Sequence, residues 1–411
     1  MIAEPTVPDR PFRVMVTDAE RGSAVAIIRS LGRKGMQVVA ASSVAGAAGF
    51  RSRYTMERLE YPSPSARPAA AVEAIVRAAA ERKIDLVIPV TDQVIVPLAG
   101  ARSRLEGVAA LALPDTHALE AARDKLATEH LAASLGIPTP RTVQVASVDD
   151  AIGTAPGLGW PVVLKPQNSL AYREGGSEPL EVRYANDARM LAAQFTGFNG
   201  RSGVLLQEYC EGEAFGVEVL AHEGRILAAF QHRRLREVPI TGGPSSFRES
   251  VALDPLLYEY AERFLGALGW TGLAMVEFKT GRDGPRLMEI NGRVWGSLPL
   301  AVKSGMDFPA RLADLYLVGP PPSKRLDTAY RVGVRSRNLQ LEVVWIASVL
   351  RARRRYGFLP APGRAEAITA ALRLVNPRDG YDAFEGDDLG PAWAEIAATI
   401  RLVGAKLVGS G

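Results

Sequence analysis

The 411-residue chain carries 49 basic and 45 acidic side chains, a net charge of +4, so its overall field selects no polyanion and a nucleic-acid role would need a local basic patch. Apolar residues make up 47%, enough for real cores, and the length suggests two or three domains. The single cysteine, Cys210, excludes an intramolecular disulfide and fits a reducing compartment. Met1 to Arg13, with Pro5, Pro8 and Pro11 among charges, lacks the apolar core of a signal peptide, and no stretch approaches the roughly 18 apolar residues that span a bilayer. A soluble, cytoplasmic protein without nucleic-acid partners is expected.

In chain order, Arg13 to Thr17 predicts a strand, Ala24 to Leu31 a helix and Gln37 to Ala41 a second strand; Ala70 to Glu81 (helix) and Asp85 to Val90 (strand) repeat the pattern. This rhythm predicts a parallel, Rossmann-like sheet. Asp18-Ala-Glu-Arg-Gly22 stands where the glycine fingerprint of a dinucleotide site would be, so that motif is absent. Asp18, Thr91 and Asp92 follow strands, where an open sheet holds ligands, although helix capping is the plainer role for each. Arg21 and Arg53 are further contacts that this domain offers an acceptor.

One helix is expected from about His117 to Leu135, ended by Gly136-Ile-Pro138. Ser147 to Gly153 and Asp187 to Phe195 predict two more, with strands at Trp160 to Pro166, Gly203 to Tyr209, Phe215 to Leu220 and Arg225 to Phe230. The middle of the chain is α+β. Beyond Pro320-Pro-Pro322, residues 324 to 355 hold nine basic and two acidic side chains. Val343 to Arg355 predicts a basic amphipathic helix with Trp345, Val349 and Ala352 on its apolar side. Contact with a membrane surface or an acidic partner is one reading; packing on its own domain is the favoured one.

The segment Gly272 to Arg293 predicts a β-hairpin about Arg282-Asp283-Gly284, with Thr280 opposite Arg286 and Glu277 opposite Glu289. Val276, Phe278, Met288 and Ile290 then share an apolar face, and Glu277, Lys279, Glu289, Asn291 and Arg293 the other. Like charges directly across a ladder destabilise it, which points to a cation between them. Two carboxylates and an Asn oxygen suit Mg²⁺ (or Mn²⁺); an ordinary solvated hairpin fits the segment equally well.

A nucleotide site also needs cations for phosphates and a water-excluding cover. Lys165 ends its strand beside a loop through Gly175-Gly176, and Lys125 supplies a second charge. The Gly-x4-Gly-Lys-Ser/Thr phosphate loop is absent. His232, Arg234 and Arg236 alternate on one strand toward an acceptor cleft, and Thr241 to Ser246 with Arg248 form an anion-friendly closing loop.

The order Lys125, Leu164-Lys165-Pro166, Gln207-Glu208-Tyr209 with Glu213, Val276-Glu277-Phe278 and Met288-Glu289-Ile290-Asn291-Gly292-Arg293 resembles the ATP-grasp superfamily over residues 13 to 315. Asp18 to Ser23, Pro239 to Pro244 and Arg293-Val-Trp-Gly-Ser297 resemble the predicted ATP-dependent carboxylate–amine ligases related to carbamoyl-phosphate synthase and D-aspartate ligase. The resemblance implies an N-terminal Rossmann-like domain (1–113), a two-subdomain ATP-grasp domain (114–320) and a basic, largely helical extension (321–411). It further implies phosphate contacts from Lys125 and Lys165, a nucleotide-holding hinge at Gln207, Glu208, Tyr209 and Cys210, and Glu213 on the ribose. Glu277, Glu289 and Asn291 would bind Mg²⁺, and Arg293 with Lys165 would serve catalysis. Arg293's rival role is an ion pair to Glu277 or Glu289. The expected function is an ATP-dependent ligase joining a small carboxylate to an amine, with two alternatives: a kinase forming an acyl or carbamoyl phosphate, and an inactive nucleotide-binding regulator. A homodimer is left open.

Overall fold

The computed structural model describes residues 10–173, 176–198, 200–323, 325–351, 356–376 and 378–408. The first unit comprises β1 (Arg13–Val16), α1 (Gly22–Arg33), β2 (Gln37–Ser42), β3 (Thr55–Glu60), α2 (Pro68–Glu81), β4 (Leu86–Ile88), α3 (Asp92–Gly100) and β5 (Ala110–Leu111). The strands form one parallel sheet in the order β3-β2-β1-β4-β5. Val14, Val16, Val38 and Ala40 enter one core with Ile27, Ile28 and Leu31 of α1, while Met15, Val39, Ala41 and Val87 enter another with Val72, Ile75 and Ala79 of α2. Burial on both faces is why these strands are continuous apolar runs. β3 was not foreseen: its residues alternate between half-buried and exposed, as on a sheet edge, and Glu57 pairs with Arg13 and Arg82.

The middle of the chain supplies α4 (Thr116–Arg123), α5 (Lys125–Ser134), β6 (Thr142–Val145), α6 (Val148–Leu158), β7 (Val162–Pro166), β8 (Leu170–Arg173), β9 (Gly176–Pro179), β10 (Arg183–Ala185), α7 (Ala188–Phe195) and β11 (Val204–Glu208). A four-stranded antiparallel sheet orders these as β10-β7-β11-β6. The single helix expected over 117–135 is two helices, because Asp124 turns extended and caps α5, accepting from the amides of Leu126 and Ala127. That break puts Lys125 on a helix N-terminus.

Next come β12 (Glu213–His222), β13 (Arg225–Glu237), β14 (Ser245–Val251), α8 (Pro255–Ala267), β15 (Gly272–Gly281), β16 (Gly284–Asn291), α9 (Leu298–Ser304) and α10 (Phe308–Leu317). The chain closes with β17 (Arg335–Arg337), α11 (Leu339–Leu350), α12 (Arg364–Leu372), β18 (Gly380–Tyr381) and α13 (Gly390–Val408). One seven-stranded sheet runs β16-β15-β12-β13-β14-β17-β18. Its back face, with Val217, Val219, Val276 and Phe278, packs on Leu257, Ala261 and Phe264 of α8. Part of its front face, with Leu220, Phe230 and Met275, packs on Trp295, Phe308 and the α1 side of the first unit. The rest of that front face is polar and carries the candidate site.

The C-terminal region thus adds two strands to this sheet. The helix expected over 343–355 runs from Leu339 to Leu350, and Trp345, Ile346 and Val349 are buried against Ala367, Ala370, Val238 and Ile240. Arg337 is fully buried between Glu342 and Asp379, and Arg335 pairs with Glu249. The Trp345 and Val349 side of α11 therefore packs on its own domain, the favoured reading of the sequence. Lys324, Ala352 and Arg353 to Arg355 lie outside the described residues. Among the described residues no helix is long and apolar enough to cross a membrane.

Glu395 on α13 lies beside Asp382; burial pushes its carboxyl up to about 7 and Asp382 adds to the shift, against hydrogen bonds from the backbones of Gln340 and Leu339 and the nearby Arg248. A carboxyl with a raised folded-state value adds stability that is complete below its ordinary value of 4.5 and is lost as pH rises through about 7. Glu395→Gln should therefore match the parent's melting temperature at pH 4.5 and exceed it at pH 8. A gap that does not change with pH would remove Glu395 as the titrating group.

Candidate active site

β15 and β16 turn at Arg282-Asp283 and pair Gly281 with Gly284, Thr280 with Pro285, Lys279 with Arg286 and Phe278 with Leu287. A register shift between Glu277 and Phe278 then sets Glu277 opposite Glu289. Without the extra residue, Met288 would face Glu277. The bulge thus creates the carboxylate pair, and it corrects two expectations: Thr280 faces Pro285, and Leu287 rather than Met288 enters the apolar core.

Each carboxylate already has a basic neighbour. Arg234 on β13 grips Glu277, whose Oε1 also accepts from Asn291 Nδ2 at 2.8 Å. Lys125 Nζ lies 3.8 Å from Glu289 Oε1 and donates to Ser169 Oγ at 2.8 Å. Burial works against the charge of Arg234, but Glu277 and Glu237 outweigh it and hold the group firmly protonated. Lys165 on β7 enters the same crevice, lined by Lys125, Glu129 and Glu289. Burial lowers its pKa; Glu289 and Glu129 oppose that shift, while Lys125 and Lys279 reinforce it. A crowd of cations kept partly dehydrated gains by receiving an anion.

The hinge residues occupy the strand end joining the two antiparallel sheets. Gln207 Nε2 donates to Glu129 Oε1 at 3.0 Å and Thr142 Oγ1 at 2.8 Å. The Glu208 carboxylate takes Arg141 Nε at 2.7 Å and also Arg286, which together hold its pKa below the usual range despite burial. Lys279 Nζ donates to Cys210 O at 3.2 Å and lies over the Tyr209 ring. Burial raises the Cys210 thiol. Glu213 is not brought to this cluster: it opens β12 with its side chain mostly exposed and pairs with Arg233, on the sheet face opposite Glu277.

The expected glycine loop is instead the β8–β9 hairpin, whose Ser177 amide donates to Ser65 O of the first unit at 2.7 Å. A Cβ on Gly176 would stand 2.3 Å from that same oxygen, so only glycine fits there; Gly175 lies outside the described residues.

On the acceptor side, Arg293 Nε donates to Asp92 Oδ2 at 2.8 Å, not to Glu277 or Glu289. Burial disfavours its charge, yet Asp92 first and then both glutamates raise its pKa. The carboxylate of Asp18, at φ 55°, accepts from the hydroxyls of Thr17 and Tyr61 and from both the amide and hydroxyl of Thr91, so it stitches β1 to β4 rather than capping α1. His232 is fully buried with Nδ1 2.9 Å from Glu218 Oε1, and Gly216 leaves it room: a Cβ there would lie 2.4 Å from its ring. It lines no open cleft, and Arg236 turns to Glu342 instead. Arg248, expected on a closing loop, is buried against Asp382. Glu218, Glu237 and Asp382 were missed from the sequence. Glu218 alone carried a signal, as a charge inside the apolar strand run Val217 to Leu220.

Among the described residues no three His, Cys, Asp or Glu side chains converge as a self-sufficient metal centre. Two opposed carboxylates and an amide fit a hard divalent cation that completes its shell with water and phosphate oxygens.

Residues 201–339 match the family model described as ATP-grasp in the biosynthetic pathway with Ter operon. A carbamoyl phosphate synthase large chain from Thermomicrobium roseum is 27% identical over 199 residues, 46% of this chain and 18% of that one. A D-alanine–D-alanine ligase from Pseudomonas entomophila is 29% identical over 206 residues, 46% of this chain and 61% of the ligase. The biotin carboxylase domain of Hydrogenobacter thermophilus 2-oxoglutarate carboxylase, solved with MgADP, ADP and bicarbonate, aligns with a TM-score of 0.61 at 20% identity over 79% of this chain and 73% of that one. The chain is thus similar to ATP-grasp proteins in sequence over residues 201–339 and shares its fold with a biotin carboxylase domain. It spans less than two thirds of the length of these two curated relatives.

Lys165→Ala should weaken Mg·ATP binding, read by calorimetry, by roughly tenfold to a hundredfold, since a hydrogen bond to a charged group contributes about 1.5–3 kcal/mol. Unchanged affinity would take Lys165 out of the phosphate site.

Proposed function

We propose that the protein is an ATP- and Mg²⁺-dependent ligase that activates a carboxylate as an acyl phosphate and couples it to an amine, releasing ADP and phosphate. The observation that carries this reading is the cross-strand pair Glu277–Glu289, facing Lys125, Lys165 and Arg234 between two antiparallel sheets. The names of the relatives agree: one is a D-alanine–D-alanine ligase and another a carbamoyl phosphate synthase large chain.

A carboxylate is a poor electrophile because its leaving oxygen carries charge. Transfer of the terminal phosphoryl group of ATP to a carboxylate oxygen gives an acyl phosphate and ADP. An amine nitrogen then attacks the carbonyl carbon, the C–O bond to phosphate breaks, and the nitrogen loses a proton to solvent. Mg²⁺ held by Glu277, Glu289 and Asn291 would neutralise phosphate charge during the transfer. Lys125 and Lys165 bind and orient the phosphates from the hinge side, and partial dehydration strengthens each contact. Arg293, anchored to Asp92, stands where strand β16 leaves the metal ligands for the first unit, and holds the transferred phosphoryl group or the substrate carboxylate. Gln207 to Cys210 form the nucleotide-side hinge, with Glu208 acting through its ion pairs. Residues 1–113, 114–320 and 321–411 supply the acceptor wall, the nucleotide cleft and a buttress.

An ADP-release screen across amino acids and small dicarboxylates, with and without an amine, tests this directly, with Glu289→Gln as the blank. ADP that appears only with both substrates, and falls by about a hundredfold or more in the blank, is expected from the loss of a metal ligand. ADP formation without an amine would favour the kinase alternative, and a blank as fast as the parent would sink the metal assignment.

A further inference from the structure

The segment between α12 and α13 is acidic, and its carboxylates are spent on two different parts of the molecule. Asp388 reaches the first unit: its side chain accepts from Arg29 Nε at 2.9 Å, Ser52 Oγ at 2.7 Å and the Arg53 amide at 2.9 Å, and both Arg29 and Asp388 are buried. Six residues earlier, Asp382 reaches the catalytic sheet. It pairs with buried Arg248 and accepts from Ser336 Oγ at 2.6 Å, while its own amide bonds Arg337 O at 2.9 Å.

Arg248 is the link to the site. It lies directly across the β13–β14 ladder from Arg234, the residue gripping Glu277, and it donates to Gly296 O at 3.4 Å, in the turn between Arg293 and Ser297. Two guanidinium groups face each other across one ladder, which is unfavourable unless each has its own counter-charge. Arg234 has Glu277 and Glu237; Arg248 has Asp382. A buried guanidinium deprived of its partner is strongly unfavourable and moves toward another carboxylate, Glu395 on α13 or those around Arg234. The Gly296 contact would go with it.

We propose that Asp382, from the C-terminal segment, is a positioning residue of the acceptor side: by holding Arg248 on Gly296 O it fixes the 293–297 turn that carries Arg293. The functional half of this inference rests on the ligase reading. The C-terminal region is then a working part of the catalytic face, with Asp388 as its anchor on the first unit.

The test compares Asp382→Asn with Asp387→Asn, which removes a half-exposed carboxylate from the same segment and serves as control. Hydrogen–deuterium exchange should speed up at least fivefold in the peptide covering 293–300 of Asp382→Asn and stay unchanged in the one covering 204–208. MgADP affinity by calorimetry should stay within twofold. With any substrate pair that the parent turns over, kcat should fall at least tenfold. Asp387→Asn should stay within twofold of the parent throughout. Unchanged exchange at 293–300, or exchange that rises equally in every peptide, would overturn the proposal, the second by showing a merely structural role. Should Asp382→Asn fail to fold, Arg248→Lys decides: it keeps the charge, loses the reach to Gly296 O, and must show the same local exchange. The exchange result stands apart from turnover, so failure of the ligase reading in the Glu289→Gln comparison would leave it intact.

Discussion

Two carboxylates set opposite each other on adjacent strands repel, and the surroundings of Glu277 and Glu289 are arranged around that repulsion. A one-residue bulge at Met288 brings the pair into register, Asn291 donates to one carboxylate, and Arg234 and Lys125 approach one each. Such a pair is costly as a structural feature and useful as a place for a divalent cation. Behind it, Val276, Phe278, Leu287 and Ile290 sit in the α8 core, so the strands cannot rotate to separate the charges.

Charge is then distributed by side. Toward the hinge, Lys125, Lys165 and Lys279 gather beside few carboxylates, an arrangement that favours phosphate. Toward the first unit, the cations are matched: Arg293 by Asp92, Arg248 by Asp382, Arg29 by Asp388. Buried and half-buried pairs of this kind add little net stability, because desolvation offsets their attraction; what they provide is a defined geometry that a hydrophobic contact would leave looser. On the proposed function, the two sides correspond to a nucleotide that must bind and leave and an acceptor wall that must stay in place.

Much of the fold was legible. Strands buried on both faces are continuous apolar runs, so β1, β2 and β4 stood out, and the alternation across Gly272 to Arg293 revealed a hairpin with its charged face. Where legibility failed, the cause was local. The half-buried edge strand β3 carries Glu57, Arg58 and Glu60 among its six residues and looks like loop. The apolar pattern of α4 continues past Asp124, hiding a cap inside what reads as one helix. The stripe Trp345 and Val349 is the same whether it meets lipid or protein, and only the position of α12 and of the Val238 to Pro244 connection decided which.

By itself the sequence determined which residue types were available, their two-residue and helical periodicities, and the order of lysine, hinge, paired glutamates and arginine that resembles the ATP-grasp superfamily, because these are properties of neighbours along the chain. Only the tertiary structure decided which partner each charge meets: Arg293 with Asp92, Arg234 with Glu277, His232 buried on Glu218, Asp382 with Arg248. Those pairings join residues up to 201 positions apart. They depend on sheet order, on a single bulge and on how the first unit and the C-terminal segment close on one face, none of which a local pattern encodes.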